Sequence, residues 1–139
     1  EEDLWWTPNE RSNSIGHLLL HLAGNLRQWV LVGIGGQEDR RQRALEFEPD
    51  TRPGREELLE RLSATVGEVA SFLGAADPAV LEGDRRVQGR TVTGLGALYH
   101  AVEHFSMHTG QILYIVKLRT GKDLAMYSVK DGIAKSNYR

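Results

Sequence analysis

The chain has 139 residues, 40% hydrophobic and 26% charged, with a formal net charge of −2, which suits one folded domain around one core and excludes a disordered chain. It contains no cysteine, which excludes disulfides, thiolate metal ligands and a thiol nucleophile, and fits a cytoplasmic location. No basic stripe suggests a nucleic-acid partner, no apolar stretch is long enough for a membrane span, and no basic-then-apolar signal segment opens the sequence.

Residues 1–13 carry Pro8 and several polar side chains and read as an extended lead-in, which Trp5 and Trp6 pin to the body; substrate stacking is the alternative role for these tryptophans. Ser12 or Ser14 can cap a first helix from about Ile15 to Ile34, in which Ile15, Leu18, Leu19, Leu22, Leu26, Trp29 and Val30 recur at helical spacing, ended by Gly33, Gly35 and Gly36. Residues 36–53 are polar and form a long connection. Within it Arg40, Arg41 and Arg43 lie beside Glu38, Asp39, Glu46 and Glu48, a run that reads as a solvated loop.

A second helix is expected from about Arg55 to Leu73, with Leu58, Leu59, Leu62, Val66, Val69, Ala70, Phe72 and Leu73 as its apolar stripe, closed by Gly74, Asp77 and Pro78. Around Val87, Gly89, Arg90 and Val92 the sequence fits a short extended pair about a turn, or equally a loop. Thr91 or Thr93 then caps the longest helix, about Leu95 to Thr120, stopped by Gly121, with Leu98, Val102, Phe105, Ile112, Leu113, Ile115 and Val116 as its stripe. The mixed tail is expected to wrap the surface. Three long amphipathic helices with long links imply an all-α, up-down helical bundle forming a single domain over residues 1–139.

All five histidines fall in two segments, His17 and His21 in the first helix and His100, His104 and His108 in the last, each at four-residue steps that align them on one helix face. Asn25 and Gln28 extend the first row, and Gln111 extends the second. Burying unpaired imidazoles and amides costs roughly 1–3 kcal/mol each, so two such rows are retained where they meet each other, a metal or a cleft. Three nitrogens from two packed helices would hold a divalent ion and leave a position open for water or substrate, as catalytic rather than closed sites do. The remaining polar residues would orient the ligands or touch substrate. His100, Glu103 and His104 also match H-x-x-E-H, the inverted-zincin pattern, in which both histidines bind metal and the glutamate is general base. As general base, Glu103 or His100 is the nearest candidate in sequence.

The segments NSIGHLLLHLAGNLRQWV and HAVEHFSMHTGQI resemble the DinB/YfiT-like superfamily of metal-binding four-helix bundles. The most specific match is H-x-x-x-H-x-G-Q-I at His104, His108, Gly110, Gln111 and Ile112, paired with L-L-x-H-L at Leu19, Leu20, His21 and Leu22. The WWTPNE lead-in and the tail GKDLAMYS resemble an uncharacterised branch. The resemblance implies a metal triad of His21, His104 and His108 holding zinc or nickel, which leaves His17, His100, Asn25, Gln28 and Gln111 from the two rows as candidate outer partners. It also implies a metal-dependent hydrolase or a transferase acting with a low-molecular-weight thiol on a small-molecule substrate, in a homodimer. A non-catalytic metal-binding or stress-response module is the alternative. No residue matches a thiol-cofactor site. The family's first helix would precede the Glu1–Pro8 segment, so the expected bundle lacks it or completes itself otherwise, as through a partner chain.

Overall fold

A computed structural model describes residues 2–48 and 52–137. Helix α1 (Ile15–Leu26) starts on a reciprocal cap: Ser14 Oγ accepts from the His17 amide, and His17 Nδ1 accepts from the Ser14 amide. Two of the amides that open a helix without partners are satisfied this way. The helix continues into a wider π-helical turn, Arg27–Val32, closed by bonds from Gly33 N to Gln28 O and from Gly35 N to Val30 O, both 2.9 Å. The extra residue in this turn brings Trp29, Val30 and Leu31 together into the core. Helix α2 spans Arg55–Ala75 and helix α3 spans Gly94–Thr120. Thr93 caps α3, and Gly121 ends it in the left-handed conformation.

The long connection sets the topology. At one end Trp5 lies against Gly16 and donates to Pro53 O, just ahead of α2; further along, Arg27 pairs with Glu68 and Gly35 faces the Phe72 ring. Helices α1 and α2 therefore run parallel. Helix α3 runs opposite to them, because Trp29 stacks on His100 while His21 meets His104 and His108. The order is up, up, down, which corrects the expected up-down alternation. Extended, residues 36–54 span roughly 60 Å, ample to return along the roughly 27 Å of helix before them.

The molecule is mostly helical rather than all-α. Strands β1 (Asp84–Val87) and β2 (Arg90–Thr93) pair antiparallel around Gln88 and Gly89, whose φ angles of 52° and 75° make the left-handed turn favoured in two-residue hairpins. Val87 anchors this hairpin in the core, so the extended pair is formed there and the loop reading falls away. The tail does not wrap the body. It folds on itself as β3 (Tyr127–Lys130) and β4 (Ile133–Ser136) around Asp131 and Gly132, with all strand residues exposed. No helix among the described residues is long and apolar enough to cross a membrane.

The core joins Trp29, Val30, Leu31 and Ile34 to Val69, Val87, Ala97 and Ala101. Two expected stripes are only partly used. Helix α2 buries Leu58, Thr65 and Val69 but leaves Leu59 and Val66 exposed. Helix α3 turns small residues and histidines inward, with Ala97, Ala101 and His108 buried, while Val102 faces outward. Leu95, Tyr99, Met107, Tyr114 and Leu118 are exposed as well, and a groove of about 580 Å³ runs between α3 and the lead-in. The two tryptophans pin the lead-in as expected: Trp5 as above, and Trp6 beneath the Arg119 guanidinium, which also pairs with Asp3.

Candidate metal centre

His21 on α1 and His104 and His108 on α3 converge. Their ligand nitrogens all lie within 4.8 Å of one another, and among the described residues they are the group that could hold a metal ion. His104 Nε2 stands 3.1 Å from His21 Nε2 and 3.2 Å from His108 Nε2. Zinc–nitrogen bonds of 2.0–2.1 Å in a tetrahedral arrangement require nitrogens about 3.3 Å apart. The two spacings to His104 are close to that value, and the 4.8 Å span bounds the third.

The opposite edges of the rings determine where the protons sit. His108 Nδ1 donates to Gln111 Oε1 at 2.7 Å, and His21 Nδ1 donates to Glu46 Oε2 at 2.8 Å. A carboxylate and an amide oxygen only accept, so both rings carry their proton on Nδ1 and present bare Nε2 lone pairs to His104. Without an ion, a proton on His104 Nε2 can be donated to only one of the two at a time. A divalent ion satisfies all three at once. His104 Nδ1 is buried without a partner among the described residues.

Glu46 was not apparent in the sequence as part of this site. Expected in a solvated loop, it is buried, as is the Arg41 side chain. Arg41 Nε donates to Glu46 Oε1 at 2.6 Å and Nη2 to Oε2 at 2.7 Å, the fork pairing that suits a guanidinium and a carboxylate. Burial alone would raise the Glu46 pKa, but the hydrogen bonds from Arg41 and then His21 outweigh it and hold the carboxyl below its usual range. The 3.1 Å approach of Arg41 Nη2 to His21 Nδ1 reflects two donors sharing one carboxylate oxygen. Gln28 extends the network, accepting from Arg41 Nη1 at 2.7 Å and from Gln88 at the tip of the β1–β2 hairpin, and donating to Asp39.

The other expected site residues are placed differently. Gln111 contacts a ligand ring directly, whereas Gln28 reaches His21 only through Arg41. Asn25 is buried one turn beyond His21. His17 serves the helix cap and packs edge-on against Trp5. His100 stacks on Trp29 with ring centroids 3.9 Å apart, and Glu103 is exposed; neither makes a hydrogen bond with a described residue. The His100 ring lies 5.4 Å from that of His104, but the group close enough to share an ion is His21, His104 and His108 and leaves out the His100 that the inverted-zincin arrangement needs.

Burial first, and then the neighbouring histidines, lower the His104 pKa from its ordinary value of 6.5 to about 4; His108 is lowered too, mainly by burial. A histidine whose folded pKa is depressed binds its proton more readily in the unfolded chain, so stability falls as pH drops from 6.5 toward 4. For His104 alone the loss by pH 5 is about 1–2 kcal/mol, after allowing for solvent around a partly exposed ring. Urea unfolding in chelator at pH 7.5 and pH 5 measures it; an unchanged midpoint would contradict the depressed pKa.

Among solved structures, the fold is similar to that of a DinB-like protein (YjoA) from Bacillus subtilis, with a TM-score of 0.67 and 19% identity over 89% of this chain and 81% of that one. At that identity the likeness is one of fold. No curated protein matches the chain. A family model does match, over residues 1–133, so this helical protein with its convergent histidines belongs to the family described as protein of unknown function, DUF1572.

Proposed function

We propose that the chain is a metal-dependent enzyme, a hydrolase or a low-molecular-weight-thiol transferase, with zinc or nickel held by His21, His104 and His108. The observation that carries this reading is the paired outward anchoring of His21 by Glu46 and of His108 by Gln111, which aims bare nitrogens at a common point. When bound, a divalent ion lowers the pKa of a water or thiol toward neutrality and polarises a substrate oxygen. Three protein nitrogens leave at least one position of a four-coordinate ion for solvent or substrate. The nearest carboxylate is neutralised by Arg41, so the protein adds no net negative charge at the ligands and favours an anionic exchangeable ligand. Elemental analysis of protein purified without a histidine tag should find about one equivalent of zinc or nickel. A screen of low-molecular-weight thiols with electrophilic acceptors, alongside simple esters and amides, then assigns the reaction.

A second reading, a non-catalytic metal-binding or stress-response module, is favoured by one observation: neither Glu103 nor His100 is hydrogen-bonded to the histidine cluster. Cobalt-substituted protein separates the two. Azide should change its visible spectrum where a coordination position is open to substrate, and leave it unchanged where it is not.

We also propose that two copies associate through the outward face of α3. Tyr99, Val102 and Tyr114 are each more than 60% exposed there, and exposed apolar faces of this kind mark interfaces. Sedimentation at micromolar concentration should give a dimer, and Tyr114→Arg a folded monomer; a monomeric wild-type protein rejects the pairing.

A further inference from the structure

The buried Arg41–Glu46 pair lies against His21. It is the part of the 37–48 connection that lies deepest, carried by a segment whose other side chains are largely exposed. An ion pair of this kind is a weak source of stability, because removing both charges from water offsets most of their attraction. Two apolar side chains of similar volume would hold the connection against α1 equally well. They could not accept a hydrogen bond from His21 Nδ1.

We propose that Glu46 is a positioning residue for the metal ligand His21, and that Arg41 is the clamp that aims it. This rests on the metal reading above. Three directed bonds fix the guanidinium: two to the Glu46 oxygens and one to Gln28 Oε1. The guanidinium in turn fixes the carboxylate plane. Oxygen Oε2 accepts a hydrogen bond from His21 Nδ1–H, which keeps the proton on Nδ1 and leaves Nε2 bare and turned toward His104 and His108. Both carboxylate oxygens are engaged by Arg41, so Glu46 is held as a hydrogen-bond acceptor and not spent as a fourth ligand. Hydrogen-bonded outer partners of this type set the orientation and basicity of a metal-bound imidazole. Coupling between sites is reciprocal, so an occupied site also holds the connection down.

The test compares wild type with Arg41→Met/Glu46→Leu, which removes both charges together and avoids stranding one, and with Arg41→Met/Glu46→Gln, which restores an acceptor without charge. Zinc affinity is read by competition with a chromophoric chelator. The His21 tautomer is read from imidazole ¹⁵N shifts in chelator, and folding is checked by thermal unfolding in chelator. The Leu double variant should fold, bind zinc about 10–100-fold more weakly and populate both His21 tautomers. The Gln double variant should recover the Nδ1–H tautomer and most of the affinity. Wild-type affinity and an unchanged tautomer in the Leu variant would overturn the proposal, as would an Nε2–H tautomer of His21 in the metal-free wild type. If wild type takes up no zinc but the tautomer still follows the residue at position 46, the metal reading fails and the positioning of His21 stands.

Discussion

His104→Ala is expected to abolish stoichiometric metal binding and with it the metal-dependent part of stability. His104 is the ligand nearest both others, its Nε2 at 3.1 and 3.2 Å from theirs. Removing it leaves two nitrogens on different helices. The loss of affinity should exceed the roughly 10–100-fold that follows from losing an outer hydrogen-bond partner. In wild type, zinc at a thousandfold its Kd adds about 4 kcal/mol, on the order of 10 °C in Tm for a domain of this size. In the variant, melting curves with zinc and with chelator should coincide. The metal-free variant should be about as stable as metal-free wild type, because the ring removed is one whose Nδ1 has no partner. Retention of one equivalent of metal by His104→Ala would reject the three-histidine centre. His21→Ala and His108→Ala extend the test, with an added cost at His21, where the buried Glu46 carboxylate would lose a donor.

Much of this centre was legible from spacing. Four-residue steps put His104 and His108 on one face, and the burial of polar rows needed a reason that their convergence supplies. Spacing alone left five candidates, and the family resemblance narrowed them to the three that meet. The Arg41–Glu46 pair was not legible, because a charged run in a polar connection has the same appearance whether it is solvated or folded back. Its one available signal is the Arg41 and Glu46 separation across the short 3₁₀ turn at Arg43–Glu46, which brings the two side chains together. Apolar patterning also overstated the burial of α2 and α3. Each packs against α1 on one side, so a wide stripe finds neighbours along only part of its width, and the inward row of α3 is made of alanines and histidines. The tail hairpin had a clear signal in Asp131-Gly132 between two strand-like runs. The length of their connection permits the parallel course of α1 and α2, but the choice is made by packing between the helices, which periodicity within each does not report.

Helix propensity and the needs of the site make opposite predictions for Gly24→Ala. Within an α-helix, alanine is favoured over glycine by about 1 kcal/mol, so at an unconstrained position the substitution stabilises. Gly67 in α2 is such a position: a Cβ there meets nothing within 4 Å, and Gly67→Ala should raise stability by up to about 1 kcal/mol. At Gly24 the new Cβ would fall on Glu46 Oε1, with the Arg41 Nε at 3.0 Å. The carboxylate has no slack to yield, since both its oxygens are bound to Arg41 and one also to His21. Displacing it strands buried charge, a disruption that costs about 3–5 kcal/mol when complete. Partial relaxation of the connection and the propensity gain bring the expected net destabilisation to about 2–3 kcal/mol. Zinc affinity should fall with it, as in the variant lacking the Glu46 acceptor. Urea midpoints for the two glycine variants, with unchanged slopes, give the comparison directly. If Gly24→Ala is as stable as wild type and binds zinc equally well, the connection is not held against α1 in the way that brings Glu46 to His21. Opposite signs for one substitution at two helical glycines would separate intrinsic helix preference from the room that α1 must leave for the carboxylate.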